Sequence, residues 1–344
     1  MNRPNNPFSP KAKKERIDAL AASGSRGDDA STGTATGTAV LGAQVSDAGA
    51  VDDDEGVSLW RSAWHRLRRN VIFLIGATII VIFLVLSIVA PWIAPHDPSA
   101  RLLIGEVSRQ GNPVPPPQPG FPLGADDRGR DLLSRLIVGS RQTLMVGVLA
   151  TLGGLAGGVT LGTLAGAFGG WVDAVVMRIV DVLLSIPSLL MAFTIAAMFA
   201  SPSQWTLITA IAVVQIPIFA RLLRGSMLAQ RGSDHVVAAT ALGVKKAPII
   251  FRHMLPNAIG PVIVQATLVL ATAIIDAAAL SFLGLGNPDD RMPEWGQMLG
   301  QSQQYFNTFP HLAYYPALCI IVVALGFTLV GESLREALDP KSRR

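Results

Sequence analysis

Three ionisable side chains stand inside otherwise apolar runs. Arg178 and Asp181 are three residues apart, hence on one face of a helix, within the run 172–200. Asp276 lies midway along the run 259–285, with no basic residue beside it. In a hydrocarbon layer such charges cost several kcal/mol unless paired or hydrated, so each is a candidate for a translocation path or gate. The plainer readings remain open: Arg178 and Asp181 paired near the inner surface, and Asp276 hydrogen-bonded to a neighbouring helix. Pro187 frees a backbone carbonyl in the same run as Arg178 and allows a kink.

Other chemistry is sparse. The histidines, His65, His96, His235, His253 and His311, have no ligand-like spacing, and Cys319 is the only cysteine. Neither a metal site nor a disulfide is expected. No G-x-x-x-x-G-K-[ST] phosphate loop and no HExxH occur, so no ATPase is expected on this chain. Gly331-Glu332-Ser333 has the bare shape of a hydrolase G-x-S, but no histidine lies near it.

The elements that must position these residues are membrane spans. Half of the 344 residues are hydrophobic, the net charge is +4, and mean hydropathy is +0.43. The apolar residues cluster into runs approaching the roughly 20 that a bilayer requires. Six spans are predicted, at about 71–89, 143–168, 172–200, 205–220, 259–285 and 314–330. The expected fold class is an all-α membrane protein, with a transmembrane domain over 60–344. Residues 1–59 read as a disordered cytoplasmic tail, because Ser23–Gly56 is mostly Gly, Ala, Ser, Thr, Val and Asp. Within that tail Lys11–Ala22 could form a short basic helix, either inert or touching membrane or a partner.

Orientation follows from Lys and Arg near the span ends. Arg61, Arg66, Arg68 and Arg69 precede the first span and place the N-terminus in the cytoplasm. Arg221, Arg224, Arg231, Lys245, Lys246 and Arg252 then fall inside, as does the C-terminus with Arg335, Lys341, Arg343 and Arg344. The loop with Asp289, Asp290, Arg291 and Glu294 falls outside. The outer loop 91–142 dissents, with six arginines among five acids, but its length weakens the charge rule. Gly154, Gly158, Gly162, Gly166 and Gly170 recur every four residues. One face of small residues lets a second backbone approach, either within the subunit or between subunits.

The inner loop 221–257 is too long for a connector and too patterned for disorder. Ser233 is a plausible N-cap for a helix over Asp234–Leu242, and Gly243 supplies a corner. Pro248 suits the first turn of a second helix to Met254, and Pro256 ends it. Ala238, Ala239 and Leu242 form a small apolar surface suited to a partner's groove.

The stretches His235–Gly243 and Ile249–Asn257 resemble the EAA loop of bacterial ABC importer permeases. That resemblance implies a six-helix type I permease whose loop is a coupling helix docked into an ATPase subunit. It assigns ATPase coupling to Asp234, Val237, Ala238, Ala239, Leu242, Gly243 and Pro256. Val237 replaces the acid that names the motif, and Thr240 the basic residue usual after the alanines, so docking here would rest on shape and apolar contact. Phe121-Pro122-Leu123-Gly124-Ala125-Asp126-Asp127-Arg128-Gly129-Arg130-Asp131 is similar to the stretch before span two in dipeptide, oligopeptide and nickel permeases, with Ala125 and Arg128 where that family has Thr and Leu. Ser281–Gly286, Pro293-Glu294-Trp295-Gly296 and Arg335–Pro340 also resemble this subfamily, and Asn6-Pro7-Phe8 echoes a leader motif.

The resemblance further implies a second permease subunit in a heterodimer, two ATPase subunits carrying ATP and Mg, and an extracytoplasmic substrate-binding protein. This chain would bind no cofactor and no nucleic acid, and would sit in membrane lipid. Asp126, Asp127, Arg130 and Asp131 are the expected docking residues for the binding protein, or else a solvated structural loop. The segment Leu132–Ile137 alternates apolar and charged residues and fits either an amphipathic segment on the outer membrane surface or a solvated structural loop. Peptides are the expected cargo, with nickel or another small solute as the alternative. An ion-coupled secondary transporter is the rival of a different class. It predicts inverted repeats, and no convincing repeat is present.

Overall fold

The first span begins where Asn70 accepts hydrogen bonds from the Ile72 and Phe73 amides, at 2.9 and 3.2 Å. Helix α1 (Val71–Ile93) then runs past Pro91 and stops at Ala94, whose extended backbone is what a following proline, Pro95, imposes. The computed structural model describes residues 64–108, 113–289 and 291–338. The expected tail 1–59, with Asn6–Phe8 and Lys11–Ala22, lies outside them. So do Arg61, Asp290, Lys341, Arg343 and Arg344.

Helix α2 (Leu132–Phe168) starts 11 residues before the predicted span, because Asp131 caps it by accepting from the Ser134 amide at 3.1 Å. Its 37 residues reach about 55 Å, well beyond the bilayer core. Leu132–Ile137 is therefore the first turns of a long helix and packs inward, not a separate surface segment. The predicted third span is two helices, α3 (Gly170–Ser185) and α4 (Ser188–Ala197), bent by 95° at Ile186-Pro187.

Helix α5 (Gln204–Arg231) opens with a capping box between Ser203 and Thr206 and runs 11 residues past its predicted end. It carries Arg221, Arg224 and Arg231 on helix rather than loop. Next come α6 (Asp234–Ala241), α7 (Lys246–Pro248), a π-helical turn (Ile249–Met254), α8 (Leu255–Ala258) and α9 (Gly260–Phe282). Short α10 (Trp295–Gln301) precedes α11 (His311–Leu338). Among the described residues five helices are individually long and apolar enough to cross a membrane, and a sixth crossing results if α3 and α4 form one. Among the described residues the only β pairing is two isolated bridges, both in the outer segment between α1 and α2.

The glycine row of α2 faces α5 inside this subunit. A Cβ on Gly154 would lie 2.6 Å from Gln215 Cβ, one on Gly162 2.7 Å from the Ala220 carbonyl, and one on Gly166 2.9 Å from Met227 Cβ. Gly158 meets Phe219 more tightly still. Gly170 is not part of the row; nothing approaches it within 4 Å. Two apolar clusters flank this contact. One joins α2, α4, α5 and α9 through Val146, Met191, Ile211 and Leu280; the other gathers Phe219, Met227, Val236 and Met254 where α5 leads into the loop.

Gly158→Val should overpack this seam by about 1–3 kcal/mol and lower the thermal midpoint of the purified complex. Gly225 on α5 has open space around it, and Gly225→Ala should change stability by under about 1 kcal/mol. Differential scanning fluorimetry on both variants checks this.

Candidate functional site

Helix α5 ends at Gly232, and Ser233 turns the chain into α6. Ser233 takes the N-cap position, but its hydroxyl donates back to the Gln230 carbonyl at 2.6 Å instead of capping. Asp234 in the first turn complements the helix dipole. The helix closes in a Schellman motif: Gly243 N–H donates to Thr240 O and Val244 N–H to Ala239 O, with Gly243 at φ +75°. No neighbour crowds Gly243, so its requirement is the backbone angle alone.

The faces of α6 divide cleanly. Val236 and Ala239 turn into the inner cluster, so Ala239, 8% exposed, is withdrawn from the expected docking surface. Helical spacing explains this, since Ala238 and Ala239 point about 100° apart. Asp234, Val237, Ala238 and Ala241 face outward, and Leu242 is 84% exposed at the corner. Phe251 on the π turn is also exposed, an apolar candidate that sequence reasoning passed over. Its signal is a large aromatic between Lys246 and Arg252 in a loop otherwise counted for charge.

Pro256 does not end the second loop helix. The π turn closes with the Leu255 N–H donating to Ile250 O, five residues back, and the helical path continues through Pro256 to Ala258. The wider turn relieves the clash a proline ring makes with the carbonyl four residues earlier. Asn257 donates to the His253 carbonyl at 2.8 Å and lies 3.3 Å from His235 Nε2, joining the two arms of the loop.

The charges of the third span pair differently from expectation. Asp181 accepts from Arg221 of α5 at 2.5 Å, not from Arg178. Arg178 has no ion pair among the described residues. Sequence adjacency misled here, because α5 continues past the predicted span end and brings its arginines alongside α3. Asp173, not singled out from sequence, accepts two bonds from Arg224 at 2.5 and 2.6 Å. Pro187 sits at the 95° bend as the N-cap of α4. Asp276 is half-buried on α9 and makes no ion pair among the described residues.

In the segment between α1 and α2, three of the four expected docking residues are buried: Asp126, Arg130 at 2% and Asp131 at 0% exposure. Arg130 binds Asp126 at 2.7 Å and reaches Gln301 at 3.3 Å, while Arg135 approaches Asp126 at 3.4 Å. Asp131 caps α2, bonds the Ser134 hydroxyl and lies 3.2 Å from His96 Nδ1. Charge that is internally paired can be enclosed, so this cluster is structural. Asp127 and Arg128 remain accessible, at an open groove of about 480 Å³ with Gln301, Gln303 and Gln304. Beneath it, the Trp295 indole donates to Leu136 O at 2.9 Å, and Gly296 packs on the Ala278 backbone. Glu294 caps α10 through the Gly296 amide at 3.1 Å, and burial pushes its carboxyl above the usual range.

Arg130→Met removes the closest cation from the enclosed Asp126, which keeps the Arg128 and Arg130 amides and the more distant Arg135, and should destabilise by about 3 kcal/mol; Asp127→Asn should leave stability unchanged. Both are read as thermal midpoints. Glu294 has a raised folded pKa, so the unfolded chain releases its proton first, and stability declines as pH rises above 4.5 toward the folded value. Glu294→Gln should flatten that decline, which midpoints taken across pH 4–8 would show as a smaller slope (about that range in which buried carboxyls titrate).

With this geometry in hand, relatives are informative. The family of binding-protein-dependent transport system inner membrane components matches residues 158–344, and the N-terminal TM domain of oligopeptide transport permease C matches residues 58–112. The chain is 42% identical over 297 residues to the dipeptide transport system permease protein DppC of Alkalihalophilus pseudofirmus, covering 85% of this chain and 93% of that protein. It is 40% identical over 268 residues to the probable D,D-dipeptide transport system permease protein DdpC of Escherichia coli K12, covering 78% and 87%. It is 35% identical over 282 residues to the glutathione transport system permease protein GsiD of Pectobacterium atrosepticum, covering 82% and 91%. A solved structure of the MetNI methionine ABC transporter, in inward-facing conformations, shares the fold at a TM-score of 0.50 and 20% identity, over 60% of this chain and 98% of that one. The chain therefore belongs to the binding-protein-dependent transport system inner membrane component family, as a multi-pass permease subunit of an ABC importer with the type I fold.

Proposed function

We propose that this permease forms part of a path for dipeptides or oligopeptides, and that residues 233–258 couple it to ATPase partners. The observation that carries the coupling reading is the outward face of α6. Asp234, Val237, Ala238 and Leu242 stand free of the subunit's own core, while Val236 and Ala239 anchor the helix to it. An exposed leucine at a rigid glycine corner suits a hydrophobic groove. The relatives named as dipeptide, D,D-dipeptide and glutathione transport permeases support small peptides as cargo.

In this reading the permease unit covers residues 60–344 and crosses the membrane six times, with α3 and α4 as one broken crossing. The basic residues at Arg66, Arg68 and Arg69, and along the inner loop, put both termini in the cytoplasm. A second, different permease chain completes the path. Two ATPase subunits supply the energy with ATP and Mg, and an extracytoplasmic binding protein delivers the peptide. Asp127, with Arg128 beside it, is the accessible part of the outer docking surface. Arg178, Asp181, Pro187 and Asp276 belong to the path and its gate, Pro187 as a bend and Asp276 as a polar group facing the path.

The complex, purified with its partner subunits and placed in liposomes, tests this by peptide-stimulated ATP hydrolysis. Leu242→Asp and Gly243→Pro should each reduce stimulation by about thirtyfold, the loss of a hot-spot contact of about 2 kcal/mol. Stimulation at the native level in both variants, with the complex intact, would refute the coupling assignment.

A further inference from the structure

We infer that α3 is a hinged bar clamped to α5, and that Arg224 and Arg221 are the positioning residues of the clamp. The inference rests on the coupling role proposed for residues 233–258.

Both ends of α3 are joints. At the inner end Gly169 and Gly170 have φ +65° and +57°, a pair of left-handed angles that side chains resist. At the other end the chain breaks by 95° at Ile186-Pro187. The helix between is rigid but poorly packed, with Val180 as its only buried residue among 16. Trp171, Val175 and Val182 stand exposed on the side away from α5. Burial therefore supplies little of what holds α3 in place.

Besides Val180 and Leu183, which packs on the cluster shared by α2, α4, α5 and α9, directed contacts to α5 come from ion pairs. Asp173 takes a two-bond fork from Arg224, and Asp181 one bond from Arg221. The fork geometry fixes direction as well as distance. A third arginine of α5, Arg231, donates to the Ala167 carbonyl at 3.0 Å and lies 3.2 Å from where a Gly169 Cβ would be. All three arginines sit within the last three turns of α5, which lead through Gly232 and Ser233 directly into α6. By contrast α2 and α5 meet at glycines too tightly to slide. A pull on the coupling loop thus has one compliant outlet on this side of the subunit: α3 leaving or rejoining α5 about its two joints, as the arginines release or recapture Asp173 and Asp181.

The test is peptide transported per ATP hydrolysed by the whole complex in liposomes. Arg224→Gln and Asp173→Asn should each lower that ratio about tenfold, within the usual range for coupling between sites, while the complex still assembles. The charge swap Asp173→Arg with Arg224→Asp should recover most of it. A native ratio in the single variants overturns the clamp, as does a swap that stays as low as the singles. Variants that lower only the thermal midpoint, with the ratio native, give the pair a purely structural role and overturn it too. Gly243→Pro is run alongside. If it uncouples while Arg224→Gln does not, the clamp alone fails; if Gly243→Pro also keeps the native ratio, the coupling reading fails with it.

Discussion

The closest approach in the subunit is that of α2 to α5, and most of the architecture hangs on it. Helices in lipid gain nothing from hiding apolar surface from each other, so they associate where small residues admit close van der Waals contact. Gly154, Gly158, Gly162 and Gly166 provide that on α2, against Gln215, Phe219, Ala220 and Met227 on α5. The two helices run in the same direction, so the contact extends over more than three turns and fixes α5 lengthwise against α2. That register places Arg231 against the end of α2 and turns the chain into α6 at Ser233.

Much of this was legible in residue order, because the governing terms are local. Transfer of apolar runs into lipid marks the spans, and a four-residue glycine period marks a contact face. Helix ends were less legible, because they depend on single hydrogen bonds that hydropathy does not register. The Asp131 cap adds three turns to α2 before the apolar run begins. Beyond Ala220, α5 continues because its arginines find partners: Arg221 and Arg224 on α3, and Arg231 at the end of α2. Pro187 suggested a kink, whereas the right-angled break also requires the following helix to dock Met191 and Ala192 into the cluster shared with α2 and α5.

The site was legible in type and less so in detail. The Gly243 corner depends on one residue's backbone freedom, which its identity announces. Ala239 and Ala238 are the same residue type one position apart, and only the docking of Val236 decides which of them is hidden. The charges were hardest. Arg178 and Asp181 have helical pairing distance in sequence, yet Arg221, forty residues on, captures Asp181. Likewise Asp126, Arg130 and Asp131 have the composition of an exposed loop. Their burial follows from mutual pairing and from Gln301 and His96, neither of which is near in sequence.

These details divide the subunit by stiffness. The end away from the loop is locked: paired charges are enclosed around Asp126, the Trp295 indole is fixed to the α2 backbone, and Gly296 lies flat on α9. Any movement there would expose an unpaired charge or an orphaned donor, which costs more than the packing it disturbs. The loop end carries a π turn at Pro256, a Schellman corner at Gly243 and ion pairs with partly exposed members. A displacement of α6 is therefore taken up first by the partly exposed ion pairs and the loop itself, while the enclosed charges around Asp126 and the Trp295 bond hold the opposite end of the helices fixed.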